Sequence, residues 1–327
     1  MNDRRWTWLA GDTRRKPRAL TIGVFDGVHL GHRALLELLG ELARERGLDP
    51  MVLTFDPHPL AVVAPEKAPE LLTTTACRLR LLCDAGASSV AALRFDRELA
   101  ALTPEQFVRE VLVDDFDARV VVASAAFRFG AGARGDVAAM RRIGAEVGIE
   151  VIEIRPVVAD ARRVSSTRVR HALAAGDVSL AAKLLGRPHL VEGVVERGLA
   201  RGRTLGFPTA NLGQVEVLVP GEGIYAAWAS SGDVVRPAAV HVGRRLTFEG
   251  ASTLEAHLLD FDAAMDLYGR PMTLAFVQRL RDDVRFAGPA ELAAQIGRDV
   301  EAVRAMLGGA PPDPALGACR VDLAAGG

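Results

Sequence analysis

The sequence has little cysteine and almost no net charge, and each shortage excludes a class of protein. Its three cysteines, Cys77, Cys83 and Cys319, are odd in number and lack the spacing of metal ligands. We therefore expect buried or free thiols in a reducing cytoplasm. The formal net charge is −1, which gives no general attraction to nucleic acid or to an acidic membrane surface. Neither is expected as a partner, although local arginine clusters could still bind phosphate groups.

A long apolar run is also missing. No stretch could span a bilayer, and residues 1–18 carry charges without an apolar core of signal-peptide length. These features predict a cytoplasmic protein without a membrane segment, and they are compatible with a weak homo-oligomer. At 327 residues, 49% of them hydrophobic, the chain is long enough for two domains with sizeable cores.

The first part of the chain alternates short apolar strands with amphipathic helices. The predicted strands are residues 20–25, 51–55, 90–95, 119–123 and 150–154, and the predicted helices are residues 31–46, 75–85, 103–113 and 137–147. Thr103 and Pro104 mark the start of the third helix as N-cap and first helical residue. The alternation predicts an α/β domain whose parallel sheet is covered on both faces, with ligands at the carboxyl ends of its strands.

The pattern changes after two further predicted helices, which begin at Ser166 and Ser179. Short runs punctuated by Gly, Pro and Asp then predict the antiparallel strands of a small barrel. These runs are residues 189–196, 224–229, 238–242, 253–259 and 272–276. A predicted helix over residues 289–307 follows the barrel.

These patterns predict two domains and a tail. We place the first domain at residues 1–186 and the second at residues 187–307. The Gly-, Ala- and Pro-rich residues 308–327 are expected to be a disordered tail.

The segment over residues 21–32 combines a strand, a turn and a helix start. Its apolar run breaks at Asp26-Gly27, and His29 and His32 bracket a glycine just before the helical pattern begins. Backbone N–H groups and the helix dipole at such a point bind phosphate, and glycine allows close approach of the backbone. An ordinary strand-to-helix turn is the alternative, but the combination favours a nucleotide site.

Two further segments of the first part could join this site. Residues 53–60 end the second strand in a loop where prolines flank His58. Residues 164–170 place three hydroxyl side chains and two arginines at the head of a helix, where they could hold a phosphate. Taken alone, the first segment would be interpreted simply as the end of a strand, and the second as the start of a capped surface helix.

The second part contains a glycine-rich segment over residues 198–211 that ends with Thr209 and Asn211. Neutral oxygen ligands on such a flap suit Mg²⁺ shared with ATP phosphates, because magnesium keeps its waters and needs few protein ligands. Further on, Glu255 lies on the same face of a predicted strand as Thr253 and His257. A carboxylate there could act as a general base for an alcohol, although a strand glutamate is more commonly just solvated.

Together these segments resemble the bifunctional bacterial riboflavin kinase/FMN adenylyltransferases, also called FAD synthetases. The similarity covers residues 19–307. Its most specific motifs are Gly-Arg-Thr-Leu-Gly-Phe-Pro-Thr-Ala-Asn at 202–211, Glu-Ala-His-Leu-Leu-Asp at 255–260 and Met-Asp-Leu-Tyr-Gly at 265–269. The resemblance implies an N-terminal nucleotidyltransferase domain with a Rossmann-like α/β fold and a C-terminal riboflavin kinase β-barrel with a closing helix.

For the second domain, the resemblance implies phosphorylation of riboflavin. Glu255 would take the proton from the ribityl 5′-hydroxyl, which attacks the γ-phosphorus of ATP, while Thr209 and Asn211 would hold Mg²⁺. The loop at residues 201–206 would cover the phosphates. The ATP-binding residues implied in this domain are Gly202, Arg203, Gly206 and Pro208. Such catalysis is mainly positioning and charge stabilisation.

For the first domain, the resemblance implies that the FMN phosphate attacks the α-phosphorus of a second ATP and releases pyrophosphate. His29 and His32 would stabilise the charge on the triphosphate. The other implied ATP- and phosphate-binding residues are Gly23, Phe25, Asp26, Gly27, Gly31, Ser166, Thr167 and Arg170. The flavin would contact His58, Pro59 and Phe127.

The chain departs from the family pattern at two positions. Ala126 stands before Phe-Arg-Phe-Gly at 127–130, where the family usually has Asn or Asp, and Leu246 replaces a proline of the kinase segment. The first change removes a polar side chain and predicts a slow FMN-to-FAD step. Two alternatives remain at this point: a riboflavin kinase with a weakened or altered first half, and a flavin-binding regulatory paralogue without turnover. A mere binder would not need the metal ligands or the base.

Overall fold

The computed structural model describes residues 6–10, 16–197, 206–244, 252–261 and 266–309. The chain divides into two compact units. The first comprises residues 1–70 and 75–165, and the second comprises residues 71–74 and 166–327. Of the tail predicted to be disordered, residues 310–327 lie outside the described part.

The first unit is built on one mixed sheet. Its strands are β1 (Trp6–Ala10), β2 (Arg18–Ile22), β3 (Asp49–Asp56), β4 (Ser89–Arg94), β5 (Ala118–Ser124) and β6 (Glu150–Ile154), in the spatial order β1-β4-β3-β2-β5-β6. All neighbours pair in parallel except β1, which runs antiparallel to β4. A small hairpin of β7 (Val158–Ala159) and β8 (Arg162–Arg163) follows. The predicted parallel sheet is confirmed, and β1 is an edge strand that the sequence analysis missed.

Helices connect the parallel strands. They are α1 (Leu30–Arg46), α2 (Pro59–Val63), α3 (Thr75–Asp84), α4 (Arg97–Ala101), α5 (Pro104–Gln106) and α6 (Val137–Val147). Thr103 is the N-cap of α5, as predicted, and it also forms a reciprocal capping box with Gln106. The helix then continues as a π-helix over Phe107–Asp115, which the side-chain pattern does not reveal.

Apolar residues cover both faces of this sheet, as predicted. Because successive strand residues point to opposite faces, Leu20 of β2 joins one core cluster and Ala19 joins the other. The first cluster includes Val111 and Met140 from the helices on that face, and the second includes Leu39 of α1. The sheet therefore holds the carboxyl ends of its strands on a rigid, doubly covered platform.

The second unit contains a closed antiparallel barrel. Its strands are β9 (His189–Glu196), β10 (Ala210–Gly213), β11 (Gly223–Ser231), β12 (Val234–Arg244), β13 (Ser252–Leu258) and β14 (Pro271–Arg281), in the order β10-β13-β12-β11-β14-β9. The helices are α7 (Ser166–Ala174), α8 (Val178–Leu185) and the closing helix Pro289–Leu307. The barrel and closing helix are confirmed. Helix α8 begins before the predicted Ser179, because the Asp177 side chain caps it by accepting from the N–H of Leu180.

One buried histidine of the barrel gives a stability prediction. His189 is 1% exposed and its Nε2 lies 2.7 Å from the carbonyl oxygen of Leu218. Burial lowers the pKa of His189 to about 4. Because the unfolded chain binds this proton more readily, the free energy of unfolding should fall as the pH drops from the unfolded value of about 6.5 towards 4.

We expect His189→Gln to reduce this acid sensitivity, because glutamine can still donate to the carbonyl but does not titrate. Between about pH 7 and about pH 4.5, the parent protein should lose about 2 kcal/mol more unfolding free energy than the variant. Urea titrations of both proteins at the two pH values measure the difference. Equal losses would remove His189 from the acid response.

Candidate active sites

Three predicted site segments of the first unit follow neighbouring parallel strands. The turn at residues 23–29 follows β2, the His58 loop follows β3, and Phe127 follows β5. Because β2 pairs with β3 on one side and β5 on the other, the segments meet at one edge of the sheet. This is where open α/β sheets bind nucleotides, since the connections on either side of the central strand diverge.

The turn after β2 has an unusual backbone. Phe25, Gly27 and Val28 have positive φ angles of 53°, 82° and 39°. Glycine adopts this region freely, but a β-branched residue such as Val28 rarely does. Asp26, between them, is 2% exposed. Such local backbone strain is typical of functional turns.

His29 is the N-cap residue of helix α1, and its side chain contacts the first turn of that helix. Its Nδ1 accepts a hydrogen bond of 3.3 Å from the N–H of His32. A neutral His29 ring must then carry its proton on Nε2, where it can donate to a ligand. A Cβ at Gly31 would lie 3.1 Å from the His29 ring, so the glycine leaves room for this arrangement.

The two histidine rings stack on one another. Their centroids are 3.6 Å apart with an interplanar angle of 14°, and the Phe25 ring meets His32 edge-on at 5.0 Å. Burial holds the pKa of His32 well below its ordinary value, with further lowering by His29 and by Arg163. Nitrogen Nδ1 of His32 is buried without a hydrogen-bond partner among the described residues. The pair therefore concentrates two ring donors and a nearby guanidinium where an anion would relieve their repulsion.

Arg163 is a candidate site residue that sequence reasoning missed. It lies in strand β8, directly before the 164–170 segment, and it is exposed. Its positive charge is one of the causes that lower the pKa of His32. Arginines are common on surface hairpins, so the sequence carried no signal that singled this one out.

The predicted flavin residues lie on the two flanking strands. His58 caps α2, with Nδ1 accepting from the N–H of Leu60 at 3.1 Å, and Pro59 is the first residue of that helix. Phe127 is half-buried and stacks on Phe129 with centroids 5.6 Å apart. An aromatic ring and a histidine on opposite sides of β2 could contact a planar ligand, and their role in flavin binding remains a prediction.

A buried arginine contacts the end of strand β3 beside this site. Arg78 of helix α3 is 1% exposed and donates to the carbonyl oxygen of Phe55 at 2.8 Å. The Thr75 hydroxyl, within 3.3 Å of the guanidinium, donates to Asp56 at 2.8 Å. Burial lowers the pKa of Arg78, against the opposing charges of Asp26 and Asp56. A charged residue within a helix usually indicates a solvent-exposed position, so this buried contact was not predicted.

The predicted phosphate residues Ser166, Thr167 and Arg170 lie on the first turns of α7. This helix belongs to the second compact unit. Their participation at the histidine site therefore remains a prediction.

The kinase candidates of the second unit lie side by side on the barrel. Asn211 of β10 is the direct partner of Glu255 of β13, and Glu255 is in turn the partner of His241 of β12. Direct partners point to the same face of a sheet, with Cβ atoms about 4.5–5.5 Å apart. Their neighbours along the strands, such as Leu254 and Ala256, are buried in the barrel interior. The polar row therefore lies on the outer face.

Glu255 is half-buried, and its carboxylate makes no hydrogen bond or ion pair with any described residue. None of the described residues therefore competes with a substrate hydroxyl for this carboxylate. His241 beside it contacts Asp283, with Nε2 3.2 Å from the carboxylate oxygen. His241 is a second residue that the sequence analysis did not propose, because strand pairing rather than sequence spacing brings it next to Glu255.

The oxygen donors of this row are compatible with binding a divalent cation. Asn211 points to the side of the barrel that also carries Glu255, and amide and carboxylate oxygens are common ligands of such cations. Thr209 lies two residues before Asn211, just before strand β10 begins. Within the described residues, no group of three or more His, Cys, Asp and Glu side chains could hold a metal alone. The predicted Gly202, Arg203 and Leu246 lie outside the described residues, whereas Gly206 and Pro208 are described and exposed.

Two family models match the chain, one in each part. The model for FAD synthetase matches residues 12–168, and the model for riboflavin kinase matches residues 185–307.

In the described part of the chain, no helix has both the length and the apolarity required to cross a membrane.

Several curated relatives cover nearly the whole chain. The bifunctional riboflavin kinase/FMN adenylyltransferase of Escherichia coli strain K12 is 42% identical, with 88% of this chain and 92% of the relative covered. The protein of the same name from Pseudomonas fluorescens is 39% identical over the same shares. A crystal structure of a macrolide-efflux protein from Streptococcus pneumoniae superposes with a TM-score of 0.82 at 29% identity, covering 92% of this chain and 97% of that one.

Fold and sites thus define a two-part transferase of phosphorus-containing groups, with a nucleotidyltransferase half and a kinase half. The chain belongs to the bifunctional riboflavin kinase/FMN adenylyltransferase family.

Proposed function

We propose that this chain phosphorylates riboflavin to FMN with one ATP and converts FMN to FAD with a second. The observation that carries the proposal is that each half has its own cluster of candidate residues, the stacked rings of His29 and His32 in one and the paired Asn211 and Glu255 in the other. The relatives carry both activities in their names. Nothing in these comparisons favours a kinase with an altered first half or a binder without turnover.

In the kinase step, Glu255 removes the proton of the ribityl 5′-hydroxyl. The new oxygen–phosphorus bond forms at the γ-phosphorus while the bond to the bridging oxygen breaks and ADP leaves. The Glu255 carboxylate has no hydrogen-bond or ion-pair partner among the described residues, and this together with its direct pairing with Asn211 supports the role. General-base assistance and alignment of the two substrates account for the catalysis.

The kinase half binds a nucleotide together with a divalent metal, and we assign that metal as Mg²⁺. Thr209 and Asn211 would supply protein oxygens to this metal, which usually keeps several of its waters. The metal would supply positive charge that offsets the negative charge of the phosphates. Pro208 and Gly206 shape the segment that leads into these ligands.

In the adenylyl-transfer step, a phosphate oxygen of FMN attacks the α-phosphorus of ATP and pyrophosphate leaves. No protein nucleophile is required. His29 and His32 donate to the triphosphate from the start of α1, where the helix dipole also favours an anion. A bound triphosphate favours the protonated form of His32, whose pKa is low in the free protein. Arg163 adds a positive charge to the histidine pair in this proposal, and Ser166, Thr167 and Arg170 are kept as proposed phosphate-binding residues.

A direct assay tests the proposed function. Purified protein is given riboflavin, ATP and Mg²⁺, and the flavins are separated by chromatography over time. FMN followed by FAD is the expected result. FMN as the final product would contradict the proposed adenylyl transfer, and unchanged riboflavin would contradict both reactions.

Ala126 predicts the relative speed of the two steps. It is exposed in the turn after β5, where the N–H of Phe127 donates to the carbonyl of Ser124 at 2.9 Å. Its methyl group cannot form the hydrogen bond that Asn or Asp offers at this position. A substrate polar group left unpaired in a closed site costs about 1–3 kcal/mol, so FMN should accumulate before FAD appears.

We expect Ala126→Asn to speed adenylyl transfer by about 10- to 100-fold, as that free energy implies, without changing riboflavin phosphorylation. Initial rates of FAD formation from supplied FMN measure the effect, and Ala126→Val serves as the apolar control. An asparagine variant that is no faster than the parent would show that Ala126 does not limit this step.

A further inference from the structure

His257 holds the segment that carries the proposed metal ligands. It lies two residues after Glu255, on the same face of β13. Its Nδ1 is 2.8 Å from the carbonyl oxygen of Pro208. The ring also meets the Phe207 ring edge-on, with centroids 5.4 Å apart and an interplanar angle of 82°. A side chain of the kinase strand thus contacts two consecutive residues just before Thr209.

The carbonyl group that accepts this bond belongs to the peptide unit joining Pro208 to Thr209. That unit is planar, so fixing its oxygen also fixes the orientation of the Thr209 nitrogen. The β-branched side chain of Thr209 has few allowed rotamers. Setting the backbone at this point therefore largely sets the direction of the Thr209 hydroxyl.

Strand pairing alone does not fix the peptide unit that joins Pro208 to Thr209. Strand β10 begins at Ala210, whose partner is Ala256, so Thr209 lies just before the first ladder pair. Pro208 has no N–H and cannot donate to a neighbouring strand. The His257 side chain thus stabilises the segment at the point where the strand pairing stops.

We propose that His257 is a positioning residue of the kinase site, which presets the oxygen of Thr209 through its bond to Pro208. The inference rests on the metal-binding role proposed for Thr209 and Asn211. It requires no change of protonation, because the neutral Nδ1–H tautomer and the protonated ring both donate at Nδ1. His257 therefore differs in role from Glu255, which exchanges a proton with the substrate.

Three variants separate this role from a general structural one. Asparagine places an amide N–H near the position of Nδ1, glutamine places it nearer to Nε2, and alanine offers no donor. We expect His257→Asn to retain riboflavin phosphorylation within about threefold of the parent. His257→Gln and His257→Ala should lose about 10- to 100-fold in kcat and require more Mg²⁺, because small misplacements in a reacting site are costly. An asparagine variant as poor as alanine would overturn the proposal.

Adenylyl transfer from supplied FMN serves as the folding control. Each His257 variant should perform this reaction at the parent rate, because the histidine pair of the first unit is unchanged. A second measurement does not depend on activity. Long-range nitrogen NMR spectra of the metal-free protein report which ring nitrogen of His257 carries the proton, with assignment by the asparagine variant. A protonated Nδ1 is expected, and a neutral ring protonated only at Nε2 would overturn the proposal.

Thr209→Val distinguishes failure of this inference from failure of the proposed function. The substitution keeps the shape of the side chain but removes its oxygen. If Thr209→Val leaves the Mg²⁺ dependence of riboflavin phosphorylation unchanged, the metal role of Thr209 is wrong. If that dependence shifts while His257→Ala matches the parent, the metal role stands and the positioning role of His257 is wrong.

Discussion

Glu255→Gln should lower the rate of riboflavin phosphorylation by about two to four orders of magnitude, the usual effect of losing a general base. The amide keeps the size of the side chain but cannot accept the proton of the ribityl hydroxyl. The carboxylate has no hydrogen-bond or ion-pair partner among the described residues, so the substitution breaks no contact that they make with it. Initial rates of FMN formation at saturating ATP measure the effect.

Conversion of supplied FMN to FAD is the internal control for this variant. It should stay close to the parent rate, because His29 and His32 belong to the other compact unit. Glu192→Gln, on strand β9 of the same barrel, controls for the loss of one carboxylate elsewhere in the barrel. Near-normal riboflavin phosphorylation by Glu255→Gln would remove Glu255 from the mechanism.

His32→Ala should have the opposite effect, slowing adenylyl transfer by about two to three orders of magnitude, the usual cost of removing a donor to developing charge. His29→Ala should act in the same direction and should also weaken the start of α1, because the His29 side chain caps that helix. The rate of FAD formation from supplied FMN and ATP measures both effects.

The kinase reaction shows whether these losses are local. FMN formation from riboflavin should remain near the parent rate in both histidine variants. His171→Ala, on α7 of the second unit, controls for the loss of an imidazole elsewhere. Equal losses in the two reactions, with the fold intact by circular dichroism, would mean that the two sites are not chemically independent.

Elements with a clear periodic pattern were predicted well from the sequence. The closing helix Pro289–Leu307 and strand β9 (His189–Glu196) have the predicted bounds, because an N-terminal proline and strong alternation mark them. Strand β10 (Ala210–Gly213) was missed because four residues that include Asn and Gly carry no strand pattern. It forms only because barrel closure supplies partners on both sides.

The sequence indicated which residues form the candidate sites, but not how most of them are arranged in space. The turn at residues 21–32 indicated His29 and His32 directly, since their contact depends on local helix geometry. The pairing of Asn211 with Glu255 and His241 could not be predicted, because the barrel register brings distant strands together. Arg163 and Arg78 were missed for a related reason: their contacts are tertiary, and an isolated arginine in a sequence carries no sign of them.

The central claim is that two separate sites act in series, and complementation tests it most directly. Glu255→Gln and His32→Ala are each given riboflavin, ATP and Mg²⁺, alone and as an equimolar mixture, and FAD is measured by chromatography. Each variant alone should form little FAD, whereas the mixture should restore it, because FMN released by one protein is adenylylated by the other. A mixture that forms no more FAD than the separate variants would contradict the account.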